Sequence, residues 1–179
     1  MMRTVQALGT LAIACMATQA SAENTDKKEP GAPQTELVFT ETVLLGEAID
    51  AGQTPKGGRT IIPITGGTFA GPDMRGQVMP GGWDWQLHLA NGCTLVEADY
   101  FLKTDDDAII NIVNKGTLCP PETPAEESGF AFLAFTQPVL EAPLGKYEWV
   151  NGASFVGTLQ PGQGPEGEPA VIIGVYKVK

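Results

Sequence analysis

One histidine, three cysteines and eleven basic residues in a chain of 179 leave little material for several large classes of function. The lone His88 has no Ser or Cys partner in a recognisable motif, so no hydrolytic triad is expected. With at most two cysteines in a mature chain, His88 cannot complete the four-ligand set of a zinc site, and no metal is expected. No glycine-rich loop lies between a strand and a helix, and no cofactor motif is present; none is predicted. Eleven Lys and Arg stand against 21 Asp and Glu, a net charge of −10. That sign repels phosphate backbones and anionic headgroups, so nucleic acid is not an expected partner. No apolar run approaches the ~18 residues of a membrane span, and no internal repeat is found.

Glycine and proline are abundant instead, at 22 and 14 residues. They follow no Gly-X-Y period, and β-branched and aromatic residues fill the gaps between them. Breaker-free stretches of helical length occur only at the N-terminus and around Leu95. The pattern predicts about ten short strands with nearly no helix, hence a sandwich or a barrel. Strands are expected at 37–45, 59–64, 68–69, 76–79, 83–90, 94–103, 108–115, 130–135, 147–150, 154–159 and 170–178. Asp50–Gly58 and Gln160–Pro169 read as loops, the second as an insertion. Thr123-Pro124-Ala125-Glu126 has the form of a capping box and allows one or two helical turns.

Residues 1–22 have the features of an export signal. Arg3 supplies the basic region, Ala7–Ala17 the apolar segment and Ala20-Ser21-Ala22 the cleavage site. Residues 23–35 read as a flexible leader and 36–179 as one domain, in a periplasmic or secreted protein. A second reading is lipidation at Cys15 behind Ala12-Ile13-Ala14. Removing 1–22 takes away only Arg3, leaving 10 basic against 21 acidic residues, or −11. Cys93 and Cys119 flank two strand-like runs joined at Thr104–Asp107. With the turn centred near Asp105 and Asp106, paired positions sum to about 211, and 93 plus 119 is 212. The two cysteines therefore face each other at the open end of one hairpin, where an oxidising compartment makes a disulfide.

The densest segment is Thr65–Gln86, TGGTFAGPDMRGQVMPGGWDWQ. Alternation puts Trp83, Trp85, Leu87 and Leu89 on one face, read as core, and Asp84, Gln86 and His88 on the other. Asp84 is then either an exposed, turn-satisfying carboxylate or part of a polar barrel interior. Tyr147, Trp149 and Asn151 share a face if 147–151 is a strand. They either wall a ligand pocket or belong to the core, with Asn151 in a turn. Thr104-Asp105-Asp106-Asp107 lacks calcium-loop spacing and reads as a β-turn.

Taken together, Gly58-Arg59, TGGTFAGP at 65–72, RGQVMPGGWDWQ at 75–86, TDDDA at 104–108, Tyr147-x-Trp149-x-Asn151 and Phe155-Val156-Gly157 resemble the domain of unknown function 3237 family. The resemblance covers nearly all of 37–179. It implies an all-β fold: a single closed antiparallel barrel, calycin-like and allene-oxide-cyclase-like, of about eight to ten strands. It further implies that Arg59, Asp84, Trp85, Tyr100, Asp105, Asp106, Trp149 and Asn151 gather at a common site. Two departures stand out. Asp107 replaces a glycine at the hairpin tip, and the arginine expected within Phe132–Ala142 is missing, although Pro138 and Glu141 remain.

Three functions are consistent with this reading. The first is binding of a small, partly apolar, aromatic-like molecule against Trp85, Tyr100 and Trp149, with Asp84 and Arg59 orienting its polar end. The second is a cofactor-free isomerase, cyclase or lyase in which a buried Asp84 is general acid or base and Arg59 or Asn151 stabilises a developing enolate. The third is a structural role in the cell envelope. Oligomeric state is not legible.

Overall fold

The computed structural model describes residues 31–120 and 134–179. The expected signal segment, most of the leader, the capping-box turn at 123–126 and the start of the strand at 130–135 lie outside the described residues.

Ten strands and one short 3-10 turn are present among the described residues: β1 Thr35–Leu45, β2 Ile49–Thr54, β3 Gly57–Ala70, β4 Arg75–Val78, β5 Gly82–His88, β6 Thr94–Thr104, β7 Ile109–Leu118, β8 Ala134–Glu141, β9 Phe155–Gln163 and β10 Pro169–Val178, with the turn at Glu148–Gly152. All pairings are antiparallel, and β1 pairs with both β10 and β3, which closes the sheet. β2 lies beyond β1 on the same side of β3, and β4 and β5 share the position between β3 and β6. The ten strands therefore make an eight-stave barrel, a size whose interior is filled by side chains or holds one small ligand.

Glycine is required where staves crowd or bend. Gly66 and Gly67 have φ of 142° and 137°, and a Cβ on Gly67 would stand 2.0 Å from the Thr42 carbonyl oxygen. This bulge switches the inward-facing set of β3 from Ile64 and Gly66 to Phe69. A Cβ on Gly82 would meet the Tyr100 Cβ at 2.5 Å, so only glycine lets β5 start this close to β6. The expected strands at 59–64 and 68–69 are one long strand bent at that bulge.

Half of the barrel is packed. Phe39, Phe69, Met74, Leu102, Ile110, Leu140, Tyr147, Val150, Phe155 and Val175 form its buried core, with the Phe39 and Phe69 rings edge to face at 5.3 Å. Tyr147 and Val150 are three residues apart and both buried, a helical spacing. The expected strand at 147–150 is accordingly the 3-10 turn, held by the Glu148 N–H donating to the Gly145 carbonyl and the Val150 N–H to that of Tyr147.

Two expected loops are also replaced by pairing. Asp50–Gly58 contains β2 and its turn into β3. β2 is almost wholly exposed and so carries no alternation to read. Gln160–Gln163 continue β9 against Pro169–Ile172 of β10, and only 164–168 turn. The prolines fit because a strand tolerates Pro where no ladder donor is needed.

The β6–β7 hairpin pairs Thr94 with Leu118 and Lys103 with Ile109, a constant sum of 212. Cys93 and Cys119 are disulfide-bonded at the next position, with a Cα separation of 4.1 Å. Asp107 adopts φ of 67° at the tip, the left-handed conformation a glycine would take there, which Asp tolerates better than most residues. Closing 26 residues stabilises by about 3.5 kcal/mol in the chain-entropy treatment. The Cys93→Ser, Cys119→Ser double variant is expected to lose about 2–4 kcal/mol in denaturant unfolding; an unchanged midpoint would show that the staple constrains nothing.

Candidate functional site

The other half of the barrel is not filled. A cavity of about 130 Å³ opens among Val43, Leu45, Ile64, Asp84, Gln86, Val96, Ala98, Tyr100, Asn114, Leu118, Thr136, Leu159, Val171 and Ile173. These residues come from all eight staves and alternate with outward-facing neighbours. On β6, for example, Val96, Ala98 and Tyr100 face inward while Glu97, Asp99 and Phe101 are exposed.

On β5 the expected core face is corrected at Trp83 and Trp85, though Leu87 is buried, and of the two readings of Asp84 the barrel interior is the one observed. Asp84 and Gln86 line the lumen, whereas Trp83 and Trp85 are 49% and 40% exposed. Alternation defines two faces but not which is inside, and two indoles would overfill a lumen this narrow. His88 lies at the strand end, its ring nitrogens 2.8 Å from Thr60 Oγ1 and 3.0 Å from Thr94 Oγ1.

Within the lumen, the Gln86 side-chain N–H donates to Asp84 Oδ2 at 2.7 Å, and Asp84 Oδ1 has no partner. Burial raises the Asp84 carboxyl above its ordinary range, against the opposing pull of Gln86 and the Glu97 backbone. Beneath it lies Glu41 of β1, fully buried. Tyr100 Oη and Glu41 Oε1 share a hydrogen bond of 2.5 Å, and Oε2 is unpartnered. Desolvation pushes Glu41 up to about 8, although the Tyr100 bond opposes the shift. The Tyr100 hydroxyl is in turn raised well above its usual value, first by burial and then by Glu41.

Among the described residues, the buried side-chain polar atoms without a hydrogen-bond partner are Glu41 Oε2, Asp84 Oδ1, Asn114 Oδ1 and Thr136 Oγ1. Buried polar atoms are nearly always satisfied. Three of these exceptions line one cavity, and the fourth lies one hydrogen bond behind its wall.

Of the residues expected to gather at one site, the structure brings together Asp84 and Tyr100. Arg59 and Trp85 also meet, but on the outer wall, with the guanidinium 4.6 Å from the ring centroid. They edge an open groove of about 430 Å³ that includes Leu95, Lys115, Phe135 and Gln137. Asp105 and Asp106 lie at the β6–β7 tip beside Lys146 and Tyr147. Asp106 accepts from Thr104 Oγ1, Lys146 Nζ and Tyr147 Oη at 2.7–2.8 Å, and the Lys146 bond leads in holding its carboxyl below the usual range. Trp149 packs near Phe155, centroids 6.2 Å apart, with Lys177 Nζ over its ring. Asn151 clamps Ala142, accepting its N–H at 2.8 Å and donating to its carbonyl at 3.0 Å. Both Asn151 groups are thus occupied by backbone.

Glu41, Gln86, Asn114 and Thr136 were not among the expected site residues. The signal for Glu41 was present: Phe39, Glu41 and Val43 alternate on one face, so a carboxylate shares the apolar side of its strand.

These features define a small closed antiparallel β-barrel, packed at one end and holding at the other a mostly apolar lumen with a few polar groups. The chain belongs to the family described as Protein of unknown function (DUF3237), which matches residues 33–178. A UPF0311 protein of Rhodopseudomonas palustris is 34% identical over 134 residues, 70% of this chain and 86% of that one. The crystal structure of a conserved R. palustris protein of unknown function superposes with a TM-score of 0.71 at 30% identity, covering 84% of this chain and all of that one. The "Hydroalkoxylation enzyme phnH" of Penicillium herquei is 25% identical over 129 residues, 72% of this chain and 76% of that protein. The crystal structure of an enzyme from P. herquei shares the fold at a TM-score of 0.61 and 21% identity, over 84% of this chain and 97% of that one.

Glu41 makes stability depend on pH with a definite sign. Its folded value of about 8 lies above the ordinary 4.5, so between these limits the folded state binds more protons than the unfolded state. Stability therefore falls as pH rises from about 4.5 to about 8 and gains no further slope above that. Asp84 acts in the same direction. Glu41→Gln is expected to flatten the decline in chemical unfolding between pH 5 and 8; an equally steep decline in the variant would refute the assignment.

Proposed function

We propose that the barrel binds a small, partly apolar molecule carrying hydroxyl or carbonyl groups, with its apolar part against Leu45, Val96, Ala98, Leu159 and Val171 and its polar part at Asp84. The convergence of unpartnered buried polar atoms on the lumen carries this reading. The outer groove at Arg59 and Trp85 has no comparable buried, unsatisfied group among the described residues. A cavity of ~150 Å³ accommodates a benzene-sized ring, so phenol is a suitable first probe. Calorimetric titration of the full chain with phenol is expected to show binding that Ala98→Phe, which fills the lumen, abolishes. Binding that survives Ala98→Phe would move the site elsewhere and overturn the reading.

A second reading, a cofactor-independent enzyme using Asp84, is favoured by a specific observation. Burial raises the lumen carboxyl of Asp84 and that of Glu41 behind Tyr100, the usual way a protein prepares a carboxyl for proton transfer near neutral pH. A sequence relative carries the name of a hydroalkoxylation enzyme, and adding an O–H group across a double bond is a proton-transfer reaction that needs no redox partner.

Export is part of the same proposal. The Cys93–Cys119 bond requires an oxidising compartment to persist, which agrees with residues 1–22 acting as a signal. No helix among the described residues is long and apolar enough to cross a membrane. Intact-mass measurement of the natively expressed protein is expected to find Glu23 at the N-terminus; a retained Met1 would argue against export, and a lipid on Cys15 for the alternative anchor.

A further inference from the structure

Glu41 and Tyr100 form a pair that ligand binding alone does not require. Glu41 is sealed from water, and the described lysines that form ion pairs lie at the surface, with Asp107, Glu97, Asp106 and Glu36. A carboxylate buried without a cation is costly, so burial favours the neutral acid. Its immediate partner is a tyrosine that also lines the cavity. Tyr100 and Asp84 are neighbours across the wall, since Asp84 pairs directly with Ala98, two residues before Tyr100; such diagonal side chains are within reach of one bound molecule.

Two oxygens 2.5 Å apart hold one hydrogen between them. Either the tyrosine O–H donates to Glu41, as a carboxylate or as the carbonyl oxygen of the neutral acid, or an acid O–H on Oε1 donates to the tyrosine oxygen. Only the second arrangement leaves the tyrosine's own hydrogen free to turn into the lumen. We propose that Tyr100, with Glu41 behind it as a positioning residue, is the lumen's hydrogen-bond donor, paired with Asp84 as its proton acceptor, and that together they isomerise a conjugated carbonyl compound. The proposal rests on the lumen being the ligand site.

The step balances without a co-reactant. Asp84 takes a proton from a carbon beside the ligand carbonyl, breaking that C–H bond and forming the carboxylic O–H. The electron pair moves onto the carbonyl oxygen, and the resulting enolate accepts the hydrogen bond from Tyr100. Asp84 then returns the proton to a different carbon of the conjugated system. This restores the carbonyl and the carboxylate, and nothing is oxidised or reduced. A tyrosine donor working with a carboxyl kept neutral by burial has precedent in oxyanion stabilisation.

The test uses 4-nitrophenol, whose absorbance separates phenol from phenolate, and the full chain carrying Asp84→Asn to imitate the protonated aspartate. This protein is expected to bind the probe as the phenolate at a pH where the free compound is mostly un-ionised. Adding Tyr100→Phe or Glu41→Leu should each weaken phenolate binding about tenfold or more, the loss expected for a hydrogen bond to a charged group. Glu41→Gln, which keeps an N–H donor toward the tyrosine oxygen, should restore it. Thermal unfolding checks that each variant folds, since Glu41→Leu leaves the buried Tyr100 hydroxyl without its partner. Phenolate binding unchanged by Tyr100→Phe and Glu41→Leu, yet abolished by Ala98→Phe, overturns the pair and leaves the lumen site standing. Binding that also survives Ala98→Phe, or no binding at all, overturns both.

Discussion

The ladder between β1 and β3 converts a long antiparallel ribbon into a closed wall, and the chemistry of the interior depends on that closure. A carboxylate on an open sheet would keep its hydration. Glu41, on the inner face of β1, loses it because β3 and β10 flank its strand and aromatic side chains pack beneath it. Its raised proton affinity, the short bond to Tyr100 and the elevated tyrosine hydroxyl all follow from this exclusion of water. The glycines at 66, 67 and 82 serve the same constraint by permitting the bend and the close approach that closure demands.

Packing divides the barrel along its axis. Large side chains fill one half, and the 3-10 turn adds Tyr147 and Val150 to the same core. Toward the other end the inward positions shrink or become polar, as in the series Leu102, Tyr100, Ala98 on β6 and Ile110, Ile112, Asn114 on β7. Tyr100 stands at the boundary, part of the core and part of the cavity wall. Asp106 contributes from a distance by tying Lys146 and Tyr147 to the β6–β7 tip, which explains a conspicuous acidic turn without assigning it a ligand.

Local features were legible wherever one residue type enforces one geometry. The register that unites Cys93 with Cys119 and the left-handed Asp107 both follow from neighbouring residues. Sidedness did not. The alternation of Trp83-Asp84-Trp85-Gln86 is unambiguous, yet the inner face depends on how much room remains after all eight staves have met. Trp149 and Asn151 fall on a 3-10 turn because Tyr147 and Val150 find a buried home three residues apart, a tertiary preference that outweighs strand-like composition. The scattering of Arg59, Asp106 and Asn151 away from Asp84 has a similar origin, since shared motifs in a barrel family record closure and capping as well as chemistry.

The wall between lumen and surface is one residue thick. Asp84 faces inward and Trp85 outward; Val96 lines the cavity and Glu97 pairs with Lys115 outside. Both sets hang from the same backbone ladder, whose hydrogen bonds are indifferent to either. Evolution can therefore rewrite the interior at every second codon while the surface, and whatever it must avoid or recognise, stays fixed. In such a scaffold a change of reaction and a change of neighbours are separable mutational events, which suits a fold whose relatives reach from bacteria to a fungal enzyme.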